Sequence, residues 1–333
     1  MERLTGIQVH RSVPSDREFW SQPIQERWVV LCLTCHFDLL LRPGNPYLSV
    51  AKGDGKCPPL RLLEQGAHKM KSKDLSDYVD QLQIAGRYTF PKTEAYAETG
   101  LAEGTLKKAL WRLEIKNRIR MIRRGFYVIV PLEYSSTKII PADWFIADLM
   151  KFMRQPYYVG LLSAAAMQGA AHQQPQEFHV VVPSPQRDIR VDGLMIRFFK
   201  KSGMKGSPVD QVKTSTGYIR ISSPAVTAID LVAYSGRVGG LDRVLSVLQE
   251  LSSKITPDML VEAARKEKQM SYIQRLGWLL EKAGEGEIVG KLEHWASRRK
   301  PSRTPLDPAL PTKGFQRDSR WNVVVNSDLK VEL

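Results

Sequence analysis

Tyr96-Ala97-Glu98-Thr99-Gly100-Leu101-Ala102-Glu103-Gly104-Thr105-Leu106-Lys107-Lys108-Ala109-Leu110-Trp111-Arg112-Leu113, then Arg118-Ile119-Arg120-Met121-Ile122-Arg123-Arg124-Gly125-Phe126-Tyr127-Val128-Ile129-Val130-Pro131, is the stretch whose reading decides the fold. A helix starting near Pro91, where proline suits the first turn, is expected to end at Thr99-Gly100, because glycine tolerates the left-handed turn that closes a helix. The next helix is expected from about Glu103 to Lys116, with Leu106, Leu110 and Leu113 at i, i+4 and i+7. That spacing gathers the leucines on one buried face and sends Thr105, Lys107, Lys108 and Arg112 toward other faces. From Arg118 basic and apolar residues alternate, a turn falls at Arg124-Gly125, and the chain returns from Phe126 to Val130, which is the pattern of a hairpin. Two short helices followed by a basic hairpin read as a winged helix-turn-helix.

Such a module binds DNA by laying its second helix in the major groove, with short polar side chains near base edges and cations against phosphate. Between Glu103 and Gly125 there are eight Lys or Arg against two Glu, so binding should weaken steeply with salt as displaced counterions return. Thr105, Lys107, Lys108 and Arg112 are assigned to the recognition helix, and Arg118, Arg120, Arg123 and Arg124 to the wing or the DNA backbone. Two residues depart from the usual pattern: Tyr96 stands where a small residue lets the two helices meet, and Ala102 where a Ser or Thr cap is common. Trp111 would either stack on a nucleotide or fill a domain interface, the interface being preferred. A winged helix used only for protein contacts is the plainer alternative.

Outward from this stretch, Asp74 can cap a first helix carrying an apolar stripe of Leu75, Val79, Leu82 and Ile84. Residues 1–69 differ in character, with turn-formers at Arg42-Pro43-Gly44-Asn45-Pro46 and Lys52-Gly53-Asp54-Gly55-Lys56 and a sustained apolar segment only from Val29 to Leu41. They are expected to be a poorly ordered or non-native extension, with Met70 the natural start. The winged module is assigned to residues 70–134. Beyond it, helical patterns are read over Pro141–Met153 and Tyr157–Ala171, then strands over Phe178–Val182, Ile189–Val191, Leu194–Phe199 and Gly217–Ile221. Helices resume from Ser223-Pro224 to Tyr234, then over Leu241–Ser252, Thr256–Lys266 and Ser271–Ala283. Arg298 to Asp307 reads as loop and Arg320 to Val325 as a last strand. The expected fold class is α+β, an N-terminal winged helix-turn-helix followed by a larger mixed α+β C-terminal domain over 141–333.

Composition agrees with a polyanionic partner. Among 333 residues the net charge is +14, with 43% apolar residues, enough for real cores. No segment approaches the ~20 apolar residues that span a bilayer. The three cysteines all lie in the first 60 residues, which fits a reducing compartment. A cytoplasmic protein is expected, without a membrane partner.

Other constellations are weaker. Cys32-Leu33-Thr34-Cys35-His36 has the spacing for covalent haem attachment, which requires export, and Cys32, Cys35, Cys57 and His68 are zinc-ligand types at irregular spacing. Reduced thiols are the preferred reading, and neither a metal nor a cofactor is expected. His172 and His179 flank a turn and a strand rather than a nucleophile. Asp188, Asp192 and Asp230 raise the alternative of a DNA-processing, Mg²⁺-dependent nuclease targeted by the winged helix, although a structural use of these carboxylates is preferred. A second basic set, Arg187, Arg190, Arg197, Lys200 and Lys201 with Lys205 and Lys213, either extends the DNA footprint or forms a solvated face.

Four blocks carry a family resemblance: Gly125 to Pro131, Tyr157-Tyr158-Val159-Gly160-Leu161-Leu162-Ser163-Ala164-Ala165-Ala166, Gly169 to Pro175, and Ser222-Ser223-Pro224-Ala225-Val226-Thr227-Ala228-Ile229-Asp230-Leu231. In this order, across roughly Met70 to Leu333, they resemble AbiEi-family antitoxins. The resemblance implies a bacterial type IV toxin-antitoxin system of abortive infection and phage defence. In it a winged helix represses its own operon by binding inverted repeats in double-stranded promoter DNA. The C-terminal domain then counters a nucleotidyltransferase-like toxin without needing a stable complex. The DNA-binding role falls on Thr105 to Arg124, and the resemblance supplies no catalytic residue, so no enzymatic activity is expected.

Overall fold

A computed structural model describes residues 74–134, 140–170 and 175–329, together with four short strands earlier in the chain. The chain divides into two compact units, Met1–Met70 and Lys71–Leu333. In the first, β1 (Ile7–Val9), β2 (Trp28–Cys32), β3 (Phe37–Leu41) and β4 (Ser49–Val50) pair consecutively and antiparallel. The apolar run Val29–Leu41 thus supplies most of β2 and all of β3. Cys35, Cys57 and His68, named above as candidate ligands, lie outside the described residues, as does His172.

The second unit is mixed α+β. It opens with α1 (Leu75–Ile84), whose N-cap Asp74 accepts a hydrogen bond from the Ser76 amide at 3.3 Å. Leu75, Tyr78, Val79 and Leu82 are buried, whereas Ile84 points to solvent, so the apolar stripe ends one turn earlier than its periodicity implied. Strand β5 (Thr89–Pro91), which the sequence did not reveal, leads into α2 (Lys92–Thr99), closed by Gly100 at φ 66°. Then come α3 (Glu103–Ile115), β6 (Ile119–Arg123) and β7 (Phe126–Ile129), and the strands form an antiparallel sheet in the order β5-β7-β6.

Both faces of this small sheet are covered. Tyr127 and Ile129 join Phe90, Ala95, Leu106, Leu110 and Leu113 in a core beneath the three helices. Phe126, Val128 and Val130, alternating with them, turn to the opposite side and pack with Phe145, Ile146, Leu149 and Met150. Strand period alone imposes this division. The hairpin is therefore clamped between two cores.

Pro141–Met153 is not one helix but a 3-10 turn at Ala142–Trp144 followed by α4 (Ile146–Phe152). Tyr157–Ala171 is likewise broken: β8 (Tyr158–Val159) precedes α5 (Leu161–Met167). Val159 pairs with both Val180 and Ile221, and these sheet contacts override the local helical pattern. The expected strands follow as β9 (Phe178–Val182), β10 (Ile189–Val191), β11 (Leu194–Lys200) and, after β12 (Val209–Thr214), β13 (Gly217–Ser222). Strand β12 escaped notice because it is a polar edge strand, pairing only with β13.

The resulting sheet has the order β10-β11-β9-β8-β13-β12, with β9 and β11 parallel and β8 and β9 antiparallel. Val180, Val182 and Phe198 face α4 and the hairpin, while Val181 and Phe199 face the other way. On that second face sits a helical layer of α6 (Pro224–Ala233), α7 (Gly240–Ser252), α8 (Pro257–Lys266), α9 (Met270–Lys282) and α10 (Gly286–Ser297). Helix α6 is buried from Ala225 to Val232 and is the axis of this layer. A short sheet of β14 (Thr304–Pro305), β15 (Arg317–Asp318) and β16 (Val323–Val324) closes the unit, with Trp321 buried against α9 at Gly277.

Candidate nucleic-acid interface

Helix α3 separates its faces as its spacing predicted. Leu106, Leu110 and Leu113 are buried, and Thr105, Lys107, Lys108 and Arg112 are exposed. Ala95, rather than the residue after it, supplies the small contact where α2 meets the core, and Tyr96 turns outward at 52% exposure. This removes the steric objection that Tyr96 raised. Ala102 caps α3 without a side-chain bond, so the first amides of the helix are left for another acceptor. Trp111 does not fill an interface: it is 61% exposed beside Lys107, Lys108 and Arg112, with Ile115 a turn further on.

The basic residues of the hairpin divide into two groups. Arg118 is paired with Asp80 of α1. Arg120 is paired with Asp192 at 2.5 Å and is largely covered, so it ties the hairpin to the turn between β10 and β11. These two arginines are held by carboxylates of the protein itself and so support the fold. Lys107, Lys108, Arg112, Arg123 and Arg124 have no carboxylate partner among the described residues.

The second basic set is similarly split. Arg187, Arg190 and Lys200 are exposed, but Arg197 is paired with Glu177 at 2.6 Å. Lys201 is enclosed, 2.7 Å from Asp230 and 3.2 Å from Glu267. Both are held by carboxylates of the protein itself, whereas the three exposed cations are not, among the described residues.

The three aspartates of the nuclease alternative do not converge. Asp188 accepts from the Phe198 amide at 2.9 Å, Asp192 holds Arg120, and Asp230 accepts from Tyr158 Oη at 2.8 Å and from Lys201. Among the described residues no group of three or more His, Cys, Asp or Glu could share a metal ion. Nor is any described helix long and apolar enough to cross a membrane.

His179, in β9, is only 2% exposed. Burial pushes its imidazole down to about 4, with Arg197 and Arg237 adding to the effect and Glu177 opposing it. Because the charged form is favoured in the unfolded chain, its stabilising contribution is complete above pH 6.5 and is lost as pH falls toward 4, by roughly 3 kcal/mol. Urea unfolding at pH 7 and at pH 4.5 should show His179→Gln losing less stability than the wild type on acidification; equal losses would refute this assignment.

Together these elements define an α+β protein that presents a basic, solvent-facing helix beside a hairpin anchored in its own core. Residues 158–282 match the family model of the AbiEi antitoxin C-terminal domain. The matched part spans β8 through α9, including α6. The match supports an antitoxin role in a toxin-antitoxin, abortive-infection system. The fold is similar to that of the RV2827C protein from Mycobacterium tuberculosis, with a TM-score of 0.55 at 15% identity, covering 75% of this chain and 90% of that one. No protein with a curated description matches the chain.

Proposed function

We propose that the protein is the antitoxin and autorepressor of a type IV toxin-antitoxin operon and acts in the cytoplasm. Residues 70–134 serve as a winged helix-turn-helix that docks α3 into the major groove of inverted repeats in its own promoter. Thr105 and the α3 cations meet bases and phosphates there, while Arg123 and Arg124 meet the flanking backbone. Residues 141–333 counter a nucleotidyltransferase-like toxin without needing a stable complex. The observation that carries the reading is the sorting of α3, leucines inward and Thr105, Lys107, Lys108 and Arg112 outward, on a chain that also matches the AbiEi domain.

The two roles can be separated without cutting the chain. Truncation near residue 150 would strip Phe126, Val128 and Ile146 from the core they share with the large sheet, exposing an apolar face. Full-length protein carrying Lys107→Ala, Lys108→Ala and Arg112→Ala should instead still rescue growth when co-expressed with the neighbouring toxin gene, yet fail to repress a promoter reporter. Repression at the wild-type level would remove α3 from DNA recognition. Mg²⁺-dependent cleavage of promoter DNA would replace the repressor reading with the nuclease one.

A further inference from the structure

A charged cavity lies far from α3 in sequence. It has a volume of about 510 Å³ and is walled by Leu162, Glu177, His179, Arg197, Arg237 and Arg243, with Gly239 at its edge. Helix α7 starts here. Its N-cap is Gly239, at φ 105°, which offers no side-chain acceptor, so the first amides of a 13-residue helix stand without a cap. A Cβ at Gly239 would come within 2.8 Å of Arg243 Cδ, so glycine is what lets Arg243 lie across the helix start.

The cations here are arranged rather than merely solvated. The Arg237 guanidinium stacks on the Phe199 ring at 4.2 Å. Arg197 is offset by Glu177, which leaves two arginine charges, those of Arg237 and Arg243, without a carboxylate among the described residues. His179, almost wholly buried in the cavity wall, has Nε2 near Glu177 at 3.5 Å, but its Nδ1 has no partner. The buried Nε of Arg197 has none either. Orphaned groups of this kind cost stability unless something occupies the site.

We propose that this cavity is an anion site for the phosphate group of a small phosphorylated ligand of mononucleotide size. Uncapped helix amides and a pair of arginine forks provide the usual means of holding a phosphate. His179 lies in the wall beneath them, and its unpartnered, buried Nδ1 makes this part of the wall sensitive to an occupant. The volume falls within the ~300–1,000 Å³ of small-molecule pockets. Leu162 and Val238 give the apolar wall that a base or sugar would need.

The test is calorimetric titration of the full-length protein with inorganic phosphate and, separately, with adenosine monophosphate, at low ionic strength. Saturable one-to-one binding of either probe is expected, weakened about tenfold or more by Arg243→Glu, an exposed substitution, and unchanged by Lys213→Glu, which alters net charge equally. Tighter binding of the nucleotide than of phosphate supports a site that also reads the base or sugar; equal binding supports one that reads phosphate alone. The triple α3 variant should retain this binding, which separates the cavity from the DNA-binding proposal. Absence of saturable binding by both probes overturns the site, and so do equal losses in Arg243→Glu and Lys213→Glu.

Discussion

Alanine at Lys107, Lys108 and Arg112 together is expected to abolish specific retardation of the promoter DNA. At fixed salt, affinity should fall by roughly a hundredfold to ten-thousandfold, from about 1–2 kcal/mol per lost contact. None of the three is tied to a carboxylate among the described residues, and none belongs to the core formed by Leu106, Leu110 and Leu113. The variant should therefore unfold at the wild-type urea concentration. Arg123→Ala with Arg124→Ala should behave differently, weakening binding to all sequences alike and reducing the salt dependence by about two counterions. Arg118→Ala and Arg120→Ala form the contrasting pair. Their partners are Asp80 and Asp192, so their removal should leave the salt slope unchanged and lower stability instead. A slope altered equally by all four arginines would mean that the ion pairs open on DNA and that the hairpin is not divided as described.

That division also shows what the sequence could and could not disclose. Leu106, Leu110 and Leu113 had to share a face, because helical spacing is local and nothing else in α3 could bury it. The strands Phe178–Val182 and Leu194–Lys200 were legible for a similar reason, since dense β-branched and aromatic runs have few other uses. What stayed hidden depended on distant residues. Arg120 alternates with apolar neighbours like any wing arginine, and only the fold brings Asp192 to it from 72 positions away. Lys201 sits in a run of surface-like lysines, yet α6 delivers Asp230 to it. Tyr158 and Val159 preceded a small-residue helical pattern and were absorbed into it, until pairing with Val180, Val181 and Ile221 claimed them for the sheet. Helix α10, whose Gly286 and Gly290 weaken its propensity, is held by burial of Val289, Leu292 and Ala296. The anion cavity was equally invisible, because Glu177, Arg197, Arg237 and Arg243 have no spacing that would mark them in advance.

Lys201→Met is expected to destabilise the protein by about 3–5 kcal/mol, the cost of leaving a buried carboxylate without its cation. Asp230 of α6 is fully buried and accepts from Lys201 Nζ at 2.7 Å and Tyr158 Oη at 2.8 Å. Burial pushes its carboxyl upward, against the opposing pull of Lys201. Glu267, just beyond α8, contacts the same ammonium at 3.2 Å. One lysine therefore binds the end of β11 to two helices, and removing it orphans both acids. Asp230→Asn should cost less, since the amide oxygen can still accept from Tyr158 and Lys201 keeps Glu267. Replacing Lys201, Asp230 and Glu267 together with Met, Asn and Gln should recover part of the loss, because no buried charge is then left without its counter-charge and the Asn oxygen still accepts from Tyr158. Urea unfolding of the three variants at pH 7 measures the order directly. If Lys201→Met costs less than about 1 kcal/mol, the network is solvated and does not fix α6. The consequence for function is specific: Lys201→Met should lose growth rescue and repression together, at a temperature where the unfolded fraction rises. A residue touching only toxin or only DNA would lose one and keep the other.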